Sequence, residues 1–300
     1  MSVTAYGTLD HVGVAVADLE RGRILFDRLG FRLTARSVHA GSRTPGAPVE
    51  PWGSGNHCAM FRRGYLEILG IIDPDKYSNA KEMVARYEGA HIVAFGCVSG
   101  DATCAALRRS GVAIDDPRRL QRMAAYGERD EQEKLAAFRN AHLARETYPE
   151  ARFLYIEHLT REVLWQPHLL HHPNGVCELL AVVIGAPAGE ADAVAAKLAQ
   201  VTGSAPEPAG DGEWRLPLQH GAVQVVSAQA WARRLPSVAV PPLPAPVGIV
   251  FGVDDLAYTR SFFAGRNIPV TPDPQGGLWV APALASGAAL CFVASEEGQS

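Results

Sequence analysis

Residues 9–16, LDHVGVAV, alternate in side-chain character after Leu9, the period-two pattern of a half-buried strand. Asp18 follows as a helix cap, and the helical stretch behind it runs to Arg28-Leu29-Gly30, where the glycine suits a left-handed stop. The pattern predicts a strand over 31–37, a Gly/Pro-rich loop at 40–55, and two further strands near 56–62 and 64–72. This is a β-α-β-β-β unit. The same order restarts at His91, with HIVAFGCV as strand, a helix over 101–110 and Gly111 as its stop. His11 precedes Gly30 by 19 residues and His91 precedes Gly111 by 20. The closing strands also match, Tyr65-Leu66-Glu67-Ile68-Leu69 against Tyr155-Ile156-Glu157-His158-Leu159. Between helix and closing strand the second unit carries a charge-rich insertion at about 117–150, which reads as an extended hairpin or lid.

Two weaker copies follow. The third places strands at 176–184, 213–218 and 221–227 around an Ala-rich helix at 188–201. The fourth has strands at 246–253, 277–281 and 288–294 around a helix at 255–265, after a proline-rich stretch at 235–246 that reads as a stiff linker. The expected fold is therefore α+β: four βαβββ modules paired into two cupped mixed β-sheets. The first pair, over 8–75 and 90–160, makes a domain of residues 1–172. The second, over 175–228 and 246–294, makes a domain of residues 173–300.

Composition narrows the class. At 300 residues with 47% hydrophobic residues, the chain has ample material for a packed core. Its net charge of −4 and lack of a basic patch argue against nucleic acid as a partner. No apolar run is long enough to span a membrane, and the first residues lack a signal-peptide pattern, so a cytoplasmic location is expected. The cysteines Cys58, Cys97, Cys104, Cys177 and Cys291 are scattered and read as small buried residues. Ten histidines remain to be explained, nine of them at or before His172.

Strand parity puts His11 on one face with Gly13 and Ala15, and the three valines Val12, Val14 and Val16 on the other. Glu67 shares its face with Tyr65 and Leu69, and Glu157 with Phe153, Tyr155 and Leu159. A strand glutamate among apolar neighbours is costly unless its charge is paired. With His11 and His91 at the start of each module, the pattern yields four candidate metal ligands: His11, Glu67, His91 and Glu157. Such a set suits one divalent ion of the Fe, Mn, Co, Ni or Zn type with positions open to substrate. The plainer alternative is that each His and Glu forms an internal hydrogen bond or ion pair. In the later copies Glu178, Gln224, Gly248 and Leu290 fill the corresponding places, so the second domain reads as metal-free. The loop residues Arg36, His39, Trp52, Asn56 and His57 are candidates for substrate contact, with His39 as a proton donor or carrier. Arg161 and Trp165 are further lining candidates, whereas His158, His168, His171 and His172 read as packed or structural histidines.

LDHVGVAVADLERGRILFDRLGF, the Gly53-Ser54-Gly55-Asn56 turn and GYLEILGI together resemble the vicinal oxygen chelate superfamily, and within it the glyoxalase-like, bleomycin-resistance and dioxygenase group. The resemblance implies two modules around one metal, with ligands on first and last strands, which fall here on His11, Glu67, His91 and Glu157. It also implies a small oxygenated substrate held through adjacent oxygens, with Glu157 or Glu67 moving a proton in isomerase or lyase chemistry. Two alternatives stay open: a binding or resistance module without a metal, and an iron-dependent ring-cleaving dioxygenase. The dioxygenases of this superfamily are expected to hold their metal in the C-terminal pair, whereas the candidates here lie in the N-terminal pair. Four modules in one chain allow a monomer, and a homodimer is equally compatible.

Overall fold

The computed structural model describes residues 6–41, 48–236 and 238–295. The first module comprises β1 (Thr8–Val16), α1 (Leu19–Arg28), β2 (Ser37–Gly41), β3 (Glu50–Met60) and β4 (Tyr65–Ile71). A connecting helix α2 (Ala80–Arg86) leads to the second, β5 (Gly89–Gly96), α3 (Gly100–Arg109), β6 (Arg118–Tyr126), β7 (Gln132–His142) and β8 (Arg152–His158). After α4 (Arg161–Leu164), the third module runs through β9 (Val176–Ala186), α5 (Ala191–Thr202), β10 (Glu207–Gly210), β11 (Glu213–Pro217) and β12 (Ala222–Ser227). Helix α6 (Ala228–Arg234) then precedes the fourth: β13 (Ala245–Val253), α7 (Leu256–Gly265), β14 (Thr271–Pro272), β15 (Leu278–Val280) and β16 (Ala289–Ala294). The four modules pair into two eight-stranded sheets of the same order, β2-β3-β4-β1-β5-β8-β7-β6 and β10-β11-β12-β9-β13-β16-β15-β14.

Local chemistry explains the helix starts. The Asp18 carboxylate accepts from the backbone N–H groups of Glu20 and Arg21, and Ser99 and Asp255 cap α3 and α7 in the same way. Several details depart from the sequence pattern. The stretch 40–55, expected as a loop, gives its first residues to β2 and, from Glu50, its last to β3, while 42–47 lie outside the described residues. No strand forms over 31–36; Phe31 is buried instead, 5.4 Å from Phe251. The segment read as an insertion is the β6–β7 hairpin, which completes the sheet as its outer strands rather than standing off it. The proline-rich stretch is not a free spacer, because Leu235, Val238 and Leu243 pack on the second sheet.

The two sheets share one core. Val12, Val14 and Val16, with Ile68, Val93, Phe95, Phe153 and Tyr155, belong to the same buried cluster as Leu179, Val182, Ile184, Phe251 and Phe292. Backbone hydrogen bonds cross between the halves: Leu9 N–H donates to His220 O at 2.8 Å and Arg62 N–H to Cys177 O at 2.8 Å. At the junction the His172 ring stands edge-on to Phe31 and Phe61, at 6.2 and 5.1 Å. Arg32 N–H donates to its Nδ1 at 2.9 Å, and its Nε2–H donates to Met60 O at 2.8 Å. This histidine is structural, as the sequence suggested.

The outward faces differ. On the first sheet Ala15, Leu69, Ile92, Ala94, Leu154 and Ile156 line a cupped surface, roofed at one end by Ala80 and Met83 of α2. Leu164, Trp165 and Leu169 close the other end against Cys58, Met60 and Tyr65. On the second sheet the corresponding surface is filled by Trp231 and Trp279, packed edge to face at 5.3 Å. Among the described residues no helix is long and apolar enough to cross a membrane.

Candidate functional site

The first sheet's cup holds its polar side chains between those two roofs. β1 and β4 run parallel with His11 opposite Tyr65 and Gly13 opposite Glu67, so His11 and Glu67 stand on one face. Glycine is required at position 13 because Glu67 and Ile92 close over it: a Cβ there would lie 3.2 Å from Glu67 Oε2 and 2.9 Å from Ile92 Cβ. Asn56, from the neighbouring β3, donates its Nδ2–H to Glu67 Oε1. One carboxylate oxygen is thus held, and the other, which accepts no hydrogen bond among the described residues, packs over Gly13.

A β-bulge shapes the rest. The β1–β5 register slips between Leu9 and His11, which leaves Asp10 as the extra residue and aims two consecutive side chains into the cup. His11 Nδ1–H donates to Asp10 Oδ1 at 2.8 Å, and His158 Nε2–H reaches the same carboxylate at 3.2 Å. The result is a buried His–Asp–His chain. Among the described residues His11 Nε2 has no hydrogen-bond partner, so it is the chain's open end. The rings are held by aromatic packing: Tyr65 stacks on His11 at 4.4 Å, and Trp165 meets His158 edge-on at 5.0 Å. Trp165 Nε1–H is in turn fixed to Phe61 O at 3.0 Å.

Charges in the cup are set by burial and by one another. Burial opposes ionisation of Asp10, but the two imidazoles outweigh it and hold the carboxyl below its ordinary range. His39, with Nδ1 3.1 Å from Ser54 Oγ, is pushed below its ordinary value by burial; Glu67 pulls the other way, while Arg122 and Arg152 reinforce burial. Burial, then the Glu67 charge, push the Cys58 thiol up to about 12, so this cysteine is no nucleophile. Arg122 forms no ion pair among the described residues, but its charge reaches the same side chains as the Glu67 and Asp10 carboxylates.

The sequence-predicted residues do not all meet. His11, Glu67, Asn56 and His39 come together. Trp52 stands at the mouth, 5.2 Å from Tyr77 and bonded to Gly41 O. His57 lies on the other face of β3, donating to Thr34 O at 2.8 Å, and the exposed Arg36 lies with it towards α1; neither reaches the cup. Glu157 shares its face with Phe153 and Tyr155, as parity predicts, but that face is the shared core side. There its Oε2 accepts from Gly100 N–H at 2.9 Å at the start of α3 and from Arg139 at 3.3 Å. His158, read as a packed or structural histidine, is the one in the cup. His91 is the extra residue of a second bulge, in β5. It lies three residues beyond Ala94, the partner of His11, or about 10 Å along the strand.

The residues therefore do not fit the four-ligand metal site. By strand register, Ala94 pairs with Leu154 as Gly13 pairs with Glu67, so the second-module counterparts of His11 and Glu67 are Ile92 and Leu154. Both are apolar. Among the described residues no three His, Cys, Asp or Glu side chains are arranged to hold a metal ion. In the second sheet the register replaces Glu178 by Ala181 as the counterpart of His11, and Leu290 by Cys291 as that of Glu67. Gln224 and Gly248 keep their places, and no donor set forms there either. Sequence reasoning missed Asp10, His158 and Arg122, whose roles depend on the bulge and the β6–β7 hairpin.

The family described as a glyoxalase-like domain matches residues 9–202. No curated protein matches the chain. Among solved structures, a hypothetical protein from Staphylococcus aureus superposes with a TM-score of 0.62 at 10% identity, covering 96% of this chain and 99% of that one. A mutant of 4-hydroxymandelate synthase from Streptomyces coelicolor gives 0.57 at 12% identity, over 96% of this chain and 92% of that one. A xylose isomerase-like TIM barrel/4-hydroxyphenylpyruvate dioxygenase fusion protein gives 0.52 at 16% identity, over 97% of this chain and 49% of that one. At such identities the likeness is one of fold.

Proposed function

Since the chain belongs to the glyoxalase-like domain family, we propose that its first cup binds a small oxygenated anion and moves a proton next to a carbonyl using side chains alone. The observation that carries this reading is a half-held carboxylate, Glu67, on the same sheet face as the open end of the His11–Asp10–His158 chain. Glu67 Oε2 is the base. Asp10 fixes the His11 tautomer with Nδ1–H engaged, so Nε2 is free to take up or return the second proton. Arg122, whose charge reaches the cup, offsets the Glu67 and Asp10 carboxylates there and so eases the approach of an anionic substrate. A divalent ion would find two donors on one wall and Ile92 and Leu154 opposite, so no step is assigned to it.

The test uses pyruvate, phenylpyruvate and 4-hydroxyphenylpyruvate as probes, the last suggested by the name of a fold neighbour. Each has an exchangeable C–H beside its carbonyl. Incubation of the protein with each probe in D2O, followed by proton NMR, reads proton transfer directly. The expected result is catalysed exchange that survives EDTA and falls by about 10²–10⁴-fold in Glu67→Gln. Exchange that requires added metal, or that ignores Glu67→Gln, would overturn the reading, as would failure of every probe to bind or exchange.

A further inference from the structure

Beside the cup, the C-terminal end of α2, the segment 145–151 and the first residue of β8 enclose a cavity of about 270 Å³. Arg86, Arg145 and Arg152 line it together with His91 and the buried Glu150. Arg145 is paired with Glu82 at 3.2 Å, and Glu150 with Lys197. Neither Arg86 nor Arg152 has a carboxylate within ion-pair distance among the described residues. Arg86 and Arg152 are thus left without an ion pair, although the charges of Glu82 and Glu67 reach Arg152.

The Arg152 position makes this more than a solvated surface cluster. Its side chain is only partly exposed, and burial, then the charge of Arg145, depress its proton affinity. A guanidinium held half out of water beside another cation is stabilised by an arriving anion. His91 stacks on Tyr87 at 3.9 Å, with Nε2–H committed to Tyr87 O at 2.9 Å, so a rigid wall faces the three guanidinium groups. The volume suits a small ligand, just under the ~300–1,000 Å³ of sites that enclose drug-sized molecules. Guanidinium forks match the oxygens of phosphate in bidentate fashion.

We propose that this cavity binds a doubly charged oxyanion, either inorganic phosphate or the phosphate group of a small monoester. The inference is independent of the chemistry assigned to the cup. Calorimetric titration of the full chain at low ionic strength, in phosphate-free buffer, tests it with inorganic phosphate, glycerol 3-phosphate and acetate. Saturable one-to-one binding of at least one dianion is expected, with acetate at least tenfold weaker. Arg86→Ala, at an exposed helix end, and Arg152→Gln should each weaken dianion binding at least tenfold. Phosphate should also raise the thermal midpoint of the wild type and not that of Arg86→Ala, which shows that the variant is folded and site-deficient. Tighter binding of inorganic phosphate identifies the free ion as the ligand, and tighter binding of glycerol 3-phosphate identifies a monoester. Absence of saturable binding, indifference to both arginine substitutions, or equal affinity for acetate overturns the proposal.

Discussion

Acidification is expected to weaken the junction between the two sheets at His172. Both ring nitrogens are committed in the folded chain, Nδ1 accepting from Arg32 N–H and Nε2–H donating to Met60 O. A second proton has only Nδ1 to occupy, and there it would displace the Arg32 bond. Burial, against the Met60 bond and reinforced by the Arg32 and His171 charges, moves the ring from its ordinary 6.5 to about 4. The unfolded chain therefore takes the proton near 6.5 and the folded chain only near 4. The associated stability is fully present above the higher value and is lost as pH falls through this window. A gap of about 2.5 pH units corresponds to about 3 kcal/mol, a large share of the ~5–15 kcal/mol that holds a typical domain. His91 and His142 are also buried down to about 4, so the wild-type decline sums several groups and a substitution must isolate one. His172→Leu should cost about 2–4 kcal/mol at pH 7, because the Arg32 N–H and Met60 C=O lose their partners. Its deficit relative to the wild type should then shrink by about 3 kcal/mol between pH 7 and pH 4. Urea unfolding followed by tryptophan fluorescence at pH 7, 6, 5 and 4 reads both quantities. Parallel wild-type and variant curves across that range would refute the argument.

The two strand glutamates should separate cleanly. Glu67→Gln is expected to abolish proton exchange at little cost in stability. Glu157→Gln should keep exchange and lose about 1 kcal/mol in urea titration, because it weakens the start of α3. Asp10→Asn removes the carboxylate shared by His11 and His158, so exchange should fall at least tenfold by NMR; an unchanged rate would remove Asp10 from the mechanism. Gly13→Ala forces a methyl group against Ile92 and Glu67, and should cost about 1–3 kcal/mol together with loss of probe binding. With its thiol pushed up to about 12, Cys58 should resist iodoacetamide at pH 8 in the native protein; rapid modification seen by peptide mass spectrometry would contradict its placement.

Much of the architecture could be read from the alternating strand pattern, the caps and the glycine stops. Asp18, Ser99 and Asp255 begin helices because a short polar acceptor is placed just before an amphipathic run. Strand register was not legible in the same way. Tyr-Leu-Glu and Tyr-Ile-Glu look equivalent, yet hydrogen bonding to β5 aligns Leu154, not Glu157, with Glu67. The capping residues carried the signal that would have corrected this: Asp18 follows His11 by seven residues, and Ser99 follows Ile92 by seven. His91 then aligns with Asp10, and each is the extra residue in its strand. A bulge depends on the partner strand as much as on its own sequence, so parity along one strand could place His11 and Gly13 correctly and still miss Asp10. His158 was missed for a related reason: parity separated it from Glu157, but which face is core is decided by the sheet packed behind.

The shared core also bears on how a chain of this kind can diverge. Phe31 rests on Phe251 and Phe292, so the apolar face of the first sheet is finished by residues more than two hundred positions downstream. The outward surface of the second sheet carries no such burden, because Trp231 and Trp279 fill it as a cluster separate from that interior. The inward surface of that sheet does. The later half can lose every reactive side chain and still be retained, because deleting it would strip the earlier half of its own interior.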